Sequence, residues 1–258
     1  MIPQFALRLV VGLSLMWALL PRPLITSGFF RIQSLVALGL CVLTALTAPQ
    51  STLSDGSRLI GAGGLQWGMV GGALVSFAAS VLWTLERRRA GTIAGFMVLG
   101  ISGLLLAGGS IDRSATGTLA ALELTSAVTS AALLGALTGG MLLGHWYLTA
   151  TGMSLEPLLR ATRWCQAAVA VRLASAIAGV ALAAEEVRSG LVGGCFVWML
   201  LRWGAGLIGP LALSVMTQGT LKSRNPQSAT GVLFAAVILA FIGEAAALLL
   251  IEELGWPL

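Results

Sequence analysis

Arg202 is the side chain with the clearest chemical consequence, because it lies within the apolar stretch 191–204. A guanidinium inside a bilayer costs roughly 2.5 to 3.5 kcal/mol on insertion scales, so it requires a partner. Other apolar stretches contain four further ionisable side chains: Glu123, Glu244, His145 and Arg172. Ionisable groups at membrane depth are typical of substrate sites and proton relays. This small set is therefore the candidate functional site.

The composition indicates a membrane protein. Hydrophobic residues make up 57% of the chain, charged residues 10%, and the mean hydropathy is +0.93, whereas a soluble domain carries about 25% charged residues. Stretches of 18 or more apolar residues predict transmembrane helices. We predict an all-α, polytopic transmembrane helix bundle of about eight spans, at about 4–20, 33–49, 60–84, 91–109, 118–147, 164–184, 191–219 and 228–250.

The loop cations predict the orientation. One set of connections carries nine: Arg22, Arg31, Arg87, Arg88, Arg89, Arg160, Arg163, Lys222 and Arg224. The opposite set carries only Arg58, Arg113 and Arg188, with the acidic Asp55, Asp112, Glu185, Glu186, Glu252 and Glu253. Because cytoplasmic loops are enriched in Lys and Arg, we expect both termini on the outer side of a bacterial inner (cytoplasmic) membrane. Arg8 is expected to snorkel from near the end of the first span.

The net charge of +5 is then a topology signal, not an indication of nucleic-acid binding. Five of the cations are candidates for contact with anionic lipid headgroups: Arg87, Arg88, Arg89, Lys222 and Arg224. Asn225-Pro226 predicts a turn, with Ser228 or Thr230 capping the last span. Gly209-Pro210 predicts a kink one or two turns beyond Arg202.

Two segments align without gaps at a spacing of 136 residues. Gln66-Trp67-Gly68, Thr84-Leu85, Arg88 and Gly95 match Arg202-Trp203-Gly204, Thr220-Leu221, Arg224 and Gly231. We predict a tandem repeat of four helices, with 1–116 as a scaffold-like first half and 117–258 as the half that carries the intramembrane ionisable residues. Copies of four spans have the same orientation, so a pseudo-two-fold axis along the membrane normal follows. In this alignment Gln66 is opposite Arg202, and Gly108 is opposite Glu244.

Counting 1.5 Å of rise per residue predicts an order of depth from the outer side: Glu123 and Glu244, then Arg202, Arg172 and His145. The functional interpretation is a polar path or pocket among the last four spans. The alternative is that Arg202 pairs with Glu244 or Glu123 only to fix the helix register.

The small number of histidine and cysteine side chains limits which cofactors the chain can bind. With His145 as the only histidine, a haem held by two histidines is excluded within this chain, whereas quinone or lipid binding remains possible. Cys41, Cys165 and Cys195 fall in predicted spans without a CxxC pattern, so no metal site and no covalently bound cofactor are expected.

Three functions stay open. The first is a membrane subunit of an electron-transfer or respiratory assembly that interacts with quinone or conducts protons, with redox cofactors on partner subunits. The second is a small secondary transporter or channel, which the repeat and the predicted kink favour. The third is a structural or assembly subunit without its own ligand. A non-catalytic subunit in contact with lipids and other membrane subunits fits the short loops better than a self-contained enzyme.

Overall fold

The structure is a computed structural model that describes residues 1–50, 58–115, 117–150, 152–183 and 196–254, together with Trp256. The predicted outer-side charges Asp55, Glu185, Glu186 and Arg188 lie outside the described residues. So do the first five residues of the predicted seventh span, which include Cys195.

Eight helices within the described residues are long and apolar enough to cross a membrane. They are α1 (Ile2–Leu19), α2 (Ser27–Thr47), α3 (Ala62–Thr84), α4 (Arg88–Ser110), α5 (Gly117–Thr149), α6 (Glu156–Ala181), α7 (Phe196–Lys222) and α8 (Pro226–Leu254). The prediction of an all-α protein with eight spans is confirmed. The protein is therefore a multi-pass integral membrane protein, and its outer helix faces contact lipid.

Each group of four helices packs in a ring. In the first, α1 contacts α2 and α4, and α3 contacts α2 and α4. In the second, α5 contacts α6 and α8, and α7 contacts α6 and α8. The principal connection between the rings is the packing of α1 against α5. Both helices are therefore central and more buried than the peripheral α3, α6 and α7.

The turns after α3 and α7 have the same form. Glu86 and Arg224 each adopt a left-handed backbone with φ 55°. The next amide in each turn bonds back to the carbonyl five residues earlier, Arg87 N to Leu82 O and Asn225 N to Thr220 O. This is the Schellman pattern, which satisfies the last carbonyl groups of a helix.

The start of α8 differs from the prediction. The Asn225 side chain accepts the backbone N–H of Ser228 at 3.0 Å and thereby caps the helix, with Pro226 as its first residue. The Thr230 hydroxyl donates to the Pro226 carbonyl instead. The prediction that Ser228 or Thr230 caps α8 was wrong, because the residue before the proline already occupies the capping position.

The middle of α7 departs from α-helical geometry. Leu201–Ile208 form a π-helix, and α-helical geometry resumes at Gly209 with Pro210 in its first turn. Proline has no N–H and clashes with the carbonyl four residues earlier, so a wider turn before it relieves both conflicts. The irregular segment therefore contains Arg202 itself, whereas the predicted kink lay beyond it. Single π-helical turns are frequent at functional sites.

Candidate functional site: a buried arginine–glutamate cluster

Glu244 on α8 is the centre of a buried polar cluster. Its Oε1 accepts hydrogen bonds from Arg202 Nη1 at 2.6 Å and from Arg172 Nε at 3.0 Å. Its Oε2 accepts from Ser130 Oγ at 2.5 Å and from Arg172 Nη2 at 3.3 Å. We call Arg8, Ser130, Arg172, Arg202 and Glu244 the arginine–glutamate cluster. It joins five helices at a single carboxylate.

Hydroxyl groups also accept hydrogen bonds from the two arginines of α1 and α6. Arg8 Nη1 donates to Ser130 Oγ at 3.1 Å and lies 3.9 Å from Glu244 Oε2. Arg172 Nη1 lies 3.1 Å from Ser126 Oγ. It also has Thr129 Oγ1 and Ser175 Oγ at 3.5 and 3.4 Å. These small hydroxyls supply acceptors where no carboxylate is present, which reduces the cost of burying guanidinium groups.

A close crossing of α7 and α8 brings Arg202 to Glu244. Gly206 lies one turn after Arg202, and Gly243 is next to Glu244. A Cβ on Gly206 would lie 2.7 Å from the Gly243 Cα, and a Cβ on Gly243 would lie 1.9 Å from the Gly206 Cα. Only glycine on both helices allows this approach, which is the usual function of small residues between membrane helices.

A second glycine crossing brings Arg8 to Ser130. Gly12 lies one turn after Arg8, and a Cβ there would lie 1.9 Å from the Ala131 carbonyl oxygen. A Cβ on Gly135 would lie equally close to the Gly12 carbonyl carbon. The backbones of α1 and α5 are therefore in contact next to the cluster, so a long side chain from α1 can reach the carboxylate of α8.

The structure brings together three of the predicted site residues: Arg202, Glu244 and Arg172. Of the two candidate partners for Arg202, Glu244 is the one in contact. The helix-by-helix depth count placed Arg172 on the cytoplasmic side of Arg202, but both guanidinium groups meet the same carboxylate oxygen. The count fails because α6 extends from Glu156 to Ala181 and not over 164–184, so Arg172 lies nearer the C-terminal end of its helix than was counted.

Glu123 and His145 lie apart from the cluster. Glu123 Oε1 pairs with Arg58 Nη1 at 3.1 Å, and its Oε2 accepts the backbone N–H of Asp112 at 3.0 Å. His145 is exposed on α5, 15 residues from Ser130 and thus roughly 22 Å along the helix. The polar residues predicted as one path therefore form separate groups.

The prediction that Arg8 snorkels to the membrane surface was wrong. Arg8 is 5% exposed, because α1 is central and neighbouring helices cover its flanks. Sequence analysis also missed the hydroxyls Ser126, Thr129 and Ser130, although their position on one face of α5 was a usable signal. The cluster thus draws one arginine from residues 1–116 and its other members from residues 117–258.

Some donors in the cluster have no acceptor among the residues that the structure describes. Arg202 Nε, Arg202 Nη2 and Arg8 Nε are buried and have no hydrogen-bond partner in the part of the chain that the structure describes. An unsatisfied buried donor costs about 1–3 kcal/mol, and more when it is charged. The cluster can therefore donate to an additional acceptor, such as a carbonyl, phenolate or anionic oxygen.

The loop cations predicted to contact lipid headgroups are exposed. Arg87 lies between α3 and α4, and Arg88 and Arg89 begin α4, whereas Lys222 ends α7 and Arg224 lies in the turn after it. Arg88 has Glu86 at 3.9 Å, a distance typical of a weak surface ion pair. None of these five residues contributes to the arginine–glutamate cluster.

Comparison of the chain with protein-family models, with curated proteins and with solved structures finds no match. The class defined by the structure itself is a multi-pass membrane protein with a buried network of arginine and glutamate side chains.

Proposed function

We propose that this protein is a membrane subunit of an electron-transfer assembly in a bacterial inner membrane, and that its arginine–glutamate cluster binds the headgroup of a quinone. Redox centres on partner subunits would exchange electrons with that quinone. The observation that supports the proposal is the set of buried donors on Arg8 and Arg202 that have no acceptor among the described residues. Quinone carbonyl oxygens are acceptors, and they gain negative charge on reduction, which adjacent guanidinium groups stabilise.

The charge balance of the cluster supports an acceptor ligand. Within the described residues, three guanidinium groups converge on one carboxylate. Arg8 Nη1 lies 3.9 Å from Glu244 Oε2, which is beyond hydrogen-bond distance. It donates its hydrogen bond to the neutral Ser130 instead. Electron density developing on a bound quinone oxygen would be attracted to this site. Proton conduction alone is less well supported, because Glu123 and His145 are remote from the cluster.

We also propose that the two rings of helices are tandem repeats with both termini outward. The supports for the repeat are the equivalent ring contacts and the equivalent turns at Glu86 and Arg224, which are 138 positions apart. The support for the orientation is the distribution of loop cations. Buried positions of α3 and α7 match at that spacing, not at 136: Met69, Gly72, Ser76, Ala79 and Trp83 correspond to Leu207, Pro210, Ser214, Thr217 and Leu221. The glycine of the α7–α8 crossing, Gly206, then corresponds to Gly68.

This register changes the counterparts of the charged residues. Glu244 corresponds to Leu106 at a spacing of 138. Most of the π-helix follows Arg202, and its wider turn accommodates one residue more than α3 has there. Before that turn the spacing between the two copies is therefore 137 residues, and the buried counterpart of Arg202 is Leu65. Leu65 and Leu106 belong to one apolar core cluster. Because two leucines fill these positions in the first ring, the ring does not require an ion pair there, which favours a functional role for Arg202.

The test is the variant Arg202→Leu in purified protein. We expect its Kd for a water-soluble, short-chain benzoquinone or naphthoquinone to rise roughly 10- to 100-fold, since a charge-assisted hydrogen bond contributes about 1.5–3 kcal/mol. Its thermal unfolding should stay near the wild-type Tm, because Glu244 keeps Arg172 and Ser130 as partners. Binding is measured by equilibrium titration and unfolding by circular dichroism in the same detergent.

The matched control is Arg58→Leu, which removes an arginine from an ion pair outside the cluster. It should leave quinone binding unchanged. If Arg202→Leu binds quinone like the wild type but unfolds at a clearly lower temperature, Arg202 serves only to hold helices together, and the proposed function is wrong.

A further inference from the structure

An apolar groove lies beside the arginine–glutamate cluster, between α1, α5 and α6. Its volume is about 200 Å³, which is room for part of an apolar chain but not for a whole drug-sized ligand, whose sites typically have roughly 300–1,000 Å³. Small residues form its floor, among them Gly12, Ala132, Ala136 and Ala168. Trp164 and Val171 on its rim are 41% and 54% exposed, so the groove opens toward the lipid.

The groove begins about one helical turn from the cluster on each of its walls. Gly12 lies four residues after Arg8 on α1, and Ala168 lies four residues before Arg172 on α6. Ala132 lies two residues after Ser130 on α5. Four residues of helix correspond to roughly 6 Å. The groove therefore begins within reach of an apolar chain whose polar headgroup lies at the cluster.

We propose that this groove holds the isoprenoid tail of the quinone, an inference that rests on the proposed function of the cluster. The depth of the cluster distinguishes this occupant from a phospholipid. Arg8 is six residues from the start of α1, so the cluster lies roughly 9 Å below the end of the helix. A neutral quinone headgroup can reach that depth, whereas a charged phosphodiester would have to leave the headgroup layer at considerable cost.

The test uses Ala168→Phe, which fills the groove. Its matched control is Ala178→Phe on the exposed face of the same helix, outside the groove. Each protein, including the wild type, is titrated in nanodiscs with two compounds that share one quinone headgroup. One carries a long isoprenoid chain and the other a methyl group in its place. Thermal unfolding of each variant shows that it is folded.

We expect the wild type to bind the long-chain compound at least tenfold more tightly than the tail-less one. Ala168→Phe should remove that preference and leave the Kd for the tail-less compound within about twofold of the wild-type value. Ala178→Phe should change neither Kd. If Ala168→Phe fails to fold, Ala136→Leu, which adds less volume from α5, replaces it.

The outcomes separate the two proposals. Equal affinity of the wild type for both compounds, or a full tail preference in folded Ala168→Phe, overturns the groove proposal and leaves headgroup binding intact. If neither compound binds the wild type, both proposals are wrong. Loss of a co-purified phospholipid from Ala168→Phe, without any change in quinone affinity, would assign the groove to a lipid chain and also overturn the inference.

Discussion

Glu244 holds the cluster together because it supplies both carboxylate oxygens to buried donors. Glu244 and Arg172 are 0% exposed and Arg202 is 1% exposed. Desolvating such groups is expensive, and their mutual attraction repays the cost only when the geometry is good. The loss of the carboxylate would leave the guanidinium groups buried without their shared partner.

We therefore expect Glu244→Leu to destabilise the protein by about 3–5 kcal/mol, the usual cost of breaking a buried ion pair. The measurement is denaturant unfolding in detergent, followed by circular dichroism. Glu123→Leu is the control, since Glu123 belongs to a partly buried ion pair near the N-terminal end of α5, outside the cluster. Its loss should cost less than the loss of Glu244, because Arg58 is 26% exposed and water can solvate it.

The double variant Arg202→Leu/Glu244→Leu sharpens this test. It reproduces the apolar side chains of Leu65 and Leu106, but it leaves Arg172 and Arg8 without the carboxylate. It should remain as unstable as Glu244→Leu alone. If the double variant instead had wild-type stability, the destabilisation of Glu244→Leu would come from the unpaired Arg202 alone.

At this scale, sequence analysis could identify which residues need partners but not all of the partners. The cost of burial singled out Arg202, Glu244 and Arg172 without any structure, because that cost depends only on residue type and depth. Arg8 was misjudged because its distance from a helix end is a local property. Its actual burial depends on which helices surround α1.

The helices position the cluster through two glycine crossings. At each crossing the glycine pair lies within about one turn of a charged residue, so backbone approach and side-chain pairing are coupled. Gly206 and Gly204 provide a direct comparison on α7. A Cβ at Gly204 would meet nothing within 4 Å, whereas a Cβ at Gly206 would collide with Gly243.

Gly206→Ala should consequently destabilise the protein by about 1–3 kcal/mol, the usual cost of overpacking, and weaken quinone binding by moving Arg202 away from Glu244. Gly204→Ala should be neutral or slightly stabilising, since alanine favours a helix by up to about 1 kcal/mol over glycine. Unfolding curves and quinone titrations of the two variants provide the comparison. Equal behaviour of the two would show that the α7–α8 crossing does not position the arginine.

Element boundaries were largely accessible from hydropathy, because a bilayer imposes a minimum length on each apolar helix. The π-helix of α7 could not be predicted from hydropathy. Pro210 indicated that the helix must be irregular nearby, but the choice between a kink and a wider turn depends on packing against α8. The proposed repeat spacing of 138 residues differs from the gap-free alignment at 136, since similarity between apolar stretches does not report which face is buried.

In the whole molecule, the cluster lies where the two rings of helices meet. Arg8 comes from α1 of the first ring, and the other members come from α5 to α8 of the second. The order of helices within the bundle could not be predicted, because hydropathy determines that a helix crosses the membrane but not which helices are neighbours. Small residues determine the neighbours here, and 33 glycines offer many possible crossings.

Orientation is the remaining property that the sequence predicts for the whole molecule. With the nine-cation side in the cytoplasm, the cluster lies nearer the outer surface, since Arg8 is six residues from the start of α1. The protons of a bound quinol would then exchange with the outer side. The described native cysteines, Cys41 and Cys165, are buried, which allows an accessibility test with introduced cysteines.

Ser114, before α5, and Ser223, after α7, are exposed and lie on predicted opposite sides of the membrane. Each can be replaced by a single cysteine. In a Cys195→Ala background, we expect a membrane-impermeant maleimide to label Ser114→Cys in spheroplasts and Ser223→Cys only after permeabilisation. The reverse pattern would place the termini in the cytoplasm and the quinol protons on that side. Labelling of both cysteines in intact spheroplasts would contradict the odd number of crossings between them, because α5, α6 and α7 separate the two sites.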